Sequence, residues 1–98
     1  MRVVTTGLIG TGLLLAMAAM AASAAQAAPP PFCRAYASAA LNQVRAALAI
    51  PRCRPGMEGA RWSANFRVHY DWCLGASPGA AAEEREARTV HIRRCRGF

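Results

Sequence analysis

The segment 33-CRAYASAALNQVRAALAIPRC-53 decides the architecture. Within it Cys33, Tyr36, Ala37, Ala40, Leu41, Val44, Ala47 and Leu48 fall at offsets 0, 3, 4, 7, 8, 11, 14 and 15, which is the spacing of one apolar face of an α-helix. Arg34, Ser38, Asn42 and Arg45 take the opposite face. Pro51 ends the run, because proline disfavours helical geometry in the residue before it. The segment has a cysteine at each end, and Cys73 and Cys95 continue the series, so that the intervals are 20, 20 and 22 residues. Each interval is about one helix plus a turn. An even set of cysteines in a short chain describes a small exported domain closed by two disulfides.

The residues before this segment read as an export signal. Met1-Arg2 is a short positive start, Gly7 to Met20 is apolar around Leu13-Leu14-Leu15, and Ala25-Gln26-Ala27 fits the small-x-small cleavage rule. We expect residues 1–27 to be a cleaved secretory signal and 28–32, with Pro29-Pro30-Pro31, a proline-rich leader to a domain over 33–98. The competing expectation is an uncleaved anchor, since apolar and small residues continue from Val3 to Ala28. Cleavage leaves 71 residues, one domain that buries only about 60% of its unfolded surface and therefore needs crosslinks. No membrane-spanning segment is then expected.

Removal of Arg2 leaves eleven arginines against Glu58, Asp71, Glu83, Glu84 and Glu86, a net charge of +6, and the chain has no lysine. Such a surface suits an anionic partner, although charge of this kind also simply keeps a small protein soluble. Its two clusters are Arg52, Arg54 and Arg61, and Arg93, Arg94 and Arg96. Neither is interleaved with aromatic residues, which argues against nucleic acid as the partner.

A second helix is expected over Ala60 to Leu74, after the turn-like Pro55-Gly56-Met57-Glu58-Gly59, and it carries Trp62, Phe66, His69 and Cys73 at offsets 0, 4, 7 and 11. Gly75 is placed to end it. Ser77-Pro78 then opens a third helix as N-cap and first-turn proline. Glu83 and Glu84 near its start and Arg93 and Arg94 near its end suit the helix dipole, and it should stop before Gly97.

The third helix has a weak apolar stripe, so Cys95 sets its rotation: a disulfide cysteine must face its partner. Counting back from Cys95 brings Ile92, Arg88, Glu84 and Ala81 inward, with Glu84 and Arg88 spaced i, i+4 for direct pairing. On the second helix Cys73 likewise draws His69, Asn65 and Trp62 inward. The expectation is an internal polar cluster of Asn65, His69, Glu84 and Arg88, with His69 a hydrogen-bond partner of the acidic group.

The pattern Cys33-x2-Tyr36-Ala37-x2-Ala40-x2-Gln43, Cys53, Arg61-Trp62-x2-Asn65-x3-His69-x2-Trp72-Cys73, Glu84-x3-Arg88-x3-Ile92-x2-Cys95 resembles a small four-cysteine domain of exported proteobacterial proteins. The resemblance covers nearly the whole mature chain and implies export and disulfides, but no activity. Two positions depart from it: an acid is more usual at Asn65, and a glycine often follows the second cysteine, where this chain has Arg54.

Chemistry-bearing alternatives are few. His69-x3-Cys73 and His91-x3-Cys95 are each an i, i+4 pair, and together they have the ligand types of a Cys2His2 zinc site. Export favours disulfides instead, and a zinc site would leave Cys33 and Cys53 to pair separately. Ser63, Ser77 and Thr89 lack an assembled base and orienting acid, so no catalytic residue and no cofactor is expected. No segment joins a strongly cationic face to a wide apolar one, as a membrane-disrupting helix would. The reading is an all-α three-helix bundle with two disulfides, exported to the periplasm or beyond. It acts by binding an anionic envelope partner through Arg93, Arg94 and Arg96; the alternative is a periplasmic metal-binding protein.

Four cysteines allow three pairings. In an up-down-up bundle Cys33 starts the first helix and Cys73 ends the second, while Cys53 precedes the second and Cys95 ends the third. This predicts Cys33–Cys73 and Cys53–Cys95. Peptide mapping of the unreduced protein checks it, and a Cys33–Cys53 peptide would overturn both the pairing and the topology.

Overall fold

The computed structural model describes residues 26–97; the expected signal segment lies almost wholly outside them. The described residues form three α-helices: α1 (Pro30–Leu48), α2 (Phe66–Leu74) and α3 (Pro78–Arg96), with short 3-10 turns at Pro51–Cys53 and Ala60–Trp62 between α1 and α2. There is no strand among them. The disulfides are Cys33–Cys73 and Cys53–Cys95, with Cα separations of 5.5 and 5.0 Å, as the sequence predicts. Cys33 in the first turns of α1 is thereby tied to the last turn of α2, which makes these two helices antiparallel, while α3 runs back alongside α1.

The proline run is not a leader but the start of α1. Pro29 is the N-cap, and Pro30 and Pro31 take the first helical positions, where a missing N–H costs nothing and a fixed φ helps. The Cys33 N–H closes the first turn on the Pro29 carbonyl at 3.0 Å. Ala28 is itself buried, and its N–H donates to the Ala76 carbonyl at 2.7 Å, so the packed structure begins five residues before Cys33. At the other end of α1, Arg54 donates from Nε and Nη2 to the Leu48 carbonyl at 3.1 and 3.0 Å, satisfying an acceptor that the helix leaves over.

The expected helix from Ala60 to Leu74 is broken in two. Ser63 Oγ accepts from the Asn65 N–H at 3.0 Å, and Asn65 Oδ1 accepts from the Arg67 N–H at 2.9 Å, so both side chains take backbone donors. Short polar side chains compete in this way with a continuing helix and favour a cap instead. Asn65 is the exposed N-cap of α2 rather than a member of the internal cluster. Ser77 caps α3 as expected, accepting from the Ala80 N–H at 3.1 Å. Gly56 and Gly59 adopt φ of 88° and 89°, which lets the connection turn, and Gly56 lies against the His91 ring.

The core is built mostly from small residues. One apolar cluster joins Ala28, Cys33, Tyr36, Cys73 and Ala81; a second joins Val44, Ala47, Cys53 and Trp62, with Ile50, Met57, Ile92 and Cys95 packed on it. Each contains one disulfide. Leu48, placed on the apolar face by periodicity, is 44% exposed, while Ala47 beside it is fully buried. No described helix is long and apolar enough to cross a membrane.

Each disulfide closes a long loop, with separations of 40 and 42 residues. Replacing either pair by serine should lower stability by about 4 kcal/mol in the chain-entropy picture. Denaturant unfolding of the Cys33→Ser/Cys73→Ser and Cys53→Ser/Cys95→Ser variants is expected to show similar losses; a negligible loss in either would contradict the role assigned to that crosslink.

Candidate binding site

The polar centre of the molecule is Arg88, whose side chain is the largest that is fully buried. It projects from the middle of α3, in the phase set by Cys95. Its Nε donates to Gln43 Oε1 at 2.7 Å, Nη1 to the Arg61 carbonyl at 3.2 Å and Nη2 to the Tyr36 hydroxyl at 3.0 Å. The guanidinium also lies over the Tyr36 ring, 5.3 Å from its centroid. All three acceptors are neutral, and they come from α1 and from the 3-10 turn before α2.

Glu84 does not pair with Arg88. It accepts both hydrogen bonds of a fork from Arg61, at 2.8 Å from Nε and 3.0 Å from Nη2, and so ties the Ala60–Trp62 turn to α3. This bond, first, and the fields of Arg61 and Arg88 hold the Glu84 carboxyl below the usual carboxylate range, against a partial burial that pushes it up; the same bond raises Arg61 and keeps it charged. His69 is buried but meets no acid: its Nε2–H donates to the Ser63 carbonyl at 2.7 Å, fastening the break before α2. Of the expected cluster, the structure thus brings together Arg88, Glu84 and His69 around one recess and leaves Asn65 outside.

Gln43 carries no chemical motif in the sequence, yet it completes the centre. While Oε1 accepts from Arg88, Nε2 donates to the Arg85 carbonyl at 3.1 Å and to Thr89 Oγ1 at 2.9 Å. Its only sequence signal was its place in the four-cysteine pattern, since its helical face borders both the apolar stripe and the polar side.

Beside Arg88 is a recess of about 160 Å³, lined by Tyr36, Arg61, His69, Trp72, Glu84 and Arg88, with Ala60 and Val68. Trp72 is 43% exposed and lies 5.6 Å from the Tyr36 ring, centroid to centroid. The six larger or polar lining residues all stand in the pattern quoted from the sequence. Three separate segments bring them together.

The ligand set of the zinc alternative is not assembled. Cys73 and Cys95 are each bonded to another cysteine, and His91 donates from Nε2 to the Cys53 carbonyl at 2.7 Å while packing against Trp62. Among the described residues no three His, Cys, Asp or Glu side chains converge as metal ligands would.

Arg93, Arg94 and Arg96 are all exposed, but they do not share one surface. Arg93 and Arg96 line an open groove of about 670 Å³ between α1 and α3, with Asn42, Gln43, Ala46 and Ile92. Arg94 lies beside Arg61 and His91 in a different depression. Arg52 joins the first pair by donating from Nη2 to the Arg96 carbonyl at 3.1 Å. No protein-family model, curated protein or solved structure matches this chain.

Removing Arg88 leaves its acceptors unsatisfied around a void, so Arg88→Ala should cost about 3–5 kcal/mol, against about 0–1 for the exposed Arg45→Ala. Thermal melts of the two variants compare them, and equal effects would contradict the role given to Arg88. A carboxylate depressed by folding contributes stability that is present above its ordinary value of about pH 4.5 and is lost as pH falls through the lower folded value. Acid titration of stability should therefore show a fall below about pH 4.5 that is reduced in Glu84→Gln. An identical acid profile in the variant would refute the contribution of this pair.

Proposed function

We propose that this chain is an exported, non-catalytic binding module, of the four-cysteine kind that its sequence resembles, and that it docks on an anionic component of the cell envelope. The observation that carries the reading is the distribution of cations at one end of the bundle. Arg52, Arg93 and Arg96 are exposed and adjacent there, with Arg94 around the helix. Neither of the two ion pairs among the described residues, Arg61–Glu84 and Arg67–Asp71, involves these four arginines, and only Arg94 lies beside one of them, at Arg61. Part of this charge suits the C-terminal end of α3 for its own sake. Arginine, with its planar fork of donors, also favours carboxylate and phosphate groups over simple charge neutralisation.

Two disulfides are compatible with an oxidising environment, which supports export to the periplasm or beyond; cleavage near Ala27 rests on the small-x-small motif Ala25-Gln26-Ala27 alone. The hydroxyls weighed as nucleophiles are engaged locally. Ser63 and Ser77 accept from backbone N–H groups, and Thr89 donates to the Arg85 carbonyl. Together with the short run of mostly exposed carboxylates, this supports binding rather than catalysis.

Retention of the oxidised protein on anionic liposomes, cell-wall material and heparin tests the reading. It should fall as salt rises, because exposed charges are screened over about 8 Å at physiological ionic strength. The Arg93→Gln/Arg94→Gln/Arg96→Gln variant should be retained less, and Arg93→Gln/Arg96→Gln should account for more of the loss than Arg94→Gln. Salt-insensitive retention, or retention unchanged in the triple variant, would leave solubility as the account of these arginines.

A further inference from the structure

The recess beside Arg88 has a composition that docking on a flat anionic surface does not require. Its wall is an exposed indole, Trp72, backed by Tyr36 and flanked by Val68, which is 37% exposed. The Arg61–Glu84 pair, whose side chains are 46% and 28% exposed, lines the recess as well. Behind it is the buried guanidinium of Arg88. The fork to Glu84 uses two of the five N–H donors of Arg61, and the bonds of Arg88 use three of its five. Glu84 retains acceptor capacity, because an ionised carboxylate takes more than the two hydrogen bonds it receives here.

Two guanidinium groups and one carboxylate leave the recess with a net positive charge, so it favours an anion over a neutral molecule. An aromatic face is negative at its centre, so it attracts the weakly positive C–H face of a saturated ring as well as any apolar surface. Neighbouring donors and acceptors on Arg61 and Glu84 match adjacent hydroxyl groups, each of which both donates and accepts. At about 160 Å³ the space falls below the roughly 300–1,000 Å³ of drug-sized pockets and suits one ring rather than an acyl chain or a folded peptide.

We propose that this recess is a carbohydrate subsite that takes a single acidic sugar ring, stacked on Trp72, with its carboxylate on Arg61 and a hydroxyl on Glu84. The inference rests on the reading of the chain as a binder of anionic envelope material and specifies that material as an acidic polysaccharide. The basic end of the bundle then holds the charged polymer, and the recess reads one of its units. Arg88 acts as a positioning residue, since it fixes Tyr36 and the Arg61 backbone and adds charge behind the site.

The test is titration of the oxidised, isotopically labelled protein with sodium D-glucuronate and D-galacturonate, followed by amide and indole N–H resonances. D-glucose serves as the ring without charge and acetate as the charge without a ring. At least one uronate should give saturable shifts at the Trp72 indole and at Arg61 and Glu84, with both controls binding at least about tenfold more weakly, the scale of one charge-assisted hydrogen bond. Trp72→Ala, which removes an exposed side chain, and Arg61→Gln should each weaken the uronate by about tenfold or more, read at the remaining resonances. Arg93→Gln/Arg96→Gln, in the groove between α1 and α3 that shares no residue with the recess, should leave it unchanged, which separates this site from retention at the basic end. No saturable shift with either uronate, glucose binding as well as the uronate, acetate matching it, or an unaffected Trp72→Ala variant would each overturn the subsite while leaving the retention result to stand or fall separately.

Discussion

The structure depends on a guanidinium withdrawn from water. A charge at that depth is tolerable only if its donors find acceptors, and Arg88 finds them on Tyr36 and Gln43 of α1 and on the backbone at Arg61. Those three bonds fix the height of α3 against α1 and hold the connection to α2 on top of both. Apolar contact alone would specify this poorly, because the faces that meet are rich in alanine and offer little shape to interlock. Gln43 strengthens the arrangement by bonding back to α3 at Arg85 and Thr89, so that donors and acceptors on the two helices are satisfied reciprocally.

Around this centre the apolar residues divide into two clusters, each with a disulfide inside it. The division follows from size. A chain this short cannot assemble one large core, so crosslinks limit the unfolded ensemble where burial is thin. The histidines secure what remains irregular: His69 holds the Ser63 carbonyl at the break before α2, and His91 holds the Cys53 carbonyl beneath Trp62. Both are committed to backbone acceptors in regions where no helix ladder is available to satisfy them.

The same centre shapes the recess beside it. Because Arg88 takes neutral acceptors, Glu84 is released to Arg61, and their ion pair becomes the polar wall of the recess beside Trp72. The basic end of the bundle is less specialised, and its arginines spread around α3 so that only Arg93 and Arg96 share the groove against α1. The proposed long-range attraction and the proposed local recognition would thus fall on different parts of a very small molecule.

By itself the sequence determined the helical class, the two crosslinks and the rotation of α3, because each rests on a short-range regularity: the 3.6-residue period, the even set of cysteines, and the need of Cys95 to face a partner. It also determined the start of α3 at Ser77-Pro78, a local capping arrangement. Only the tertiary structure decided that the proline run opens α1, that Ser63 and Asn65 break the second helix, and that Glu84 pairs with Arg61 rather than with the arginine one turn along. Glu84 and Arg61 are 23 residues apart, and Arg88 is 45 and 52 residues from Gln43 and Tyr36. Spacing along one helix shows which residues can meet within that helix. Which partner a charge takes across the bundle is decided by desolvation and by the geometry of the other segments, and no local pattern encodes that choice.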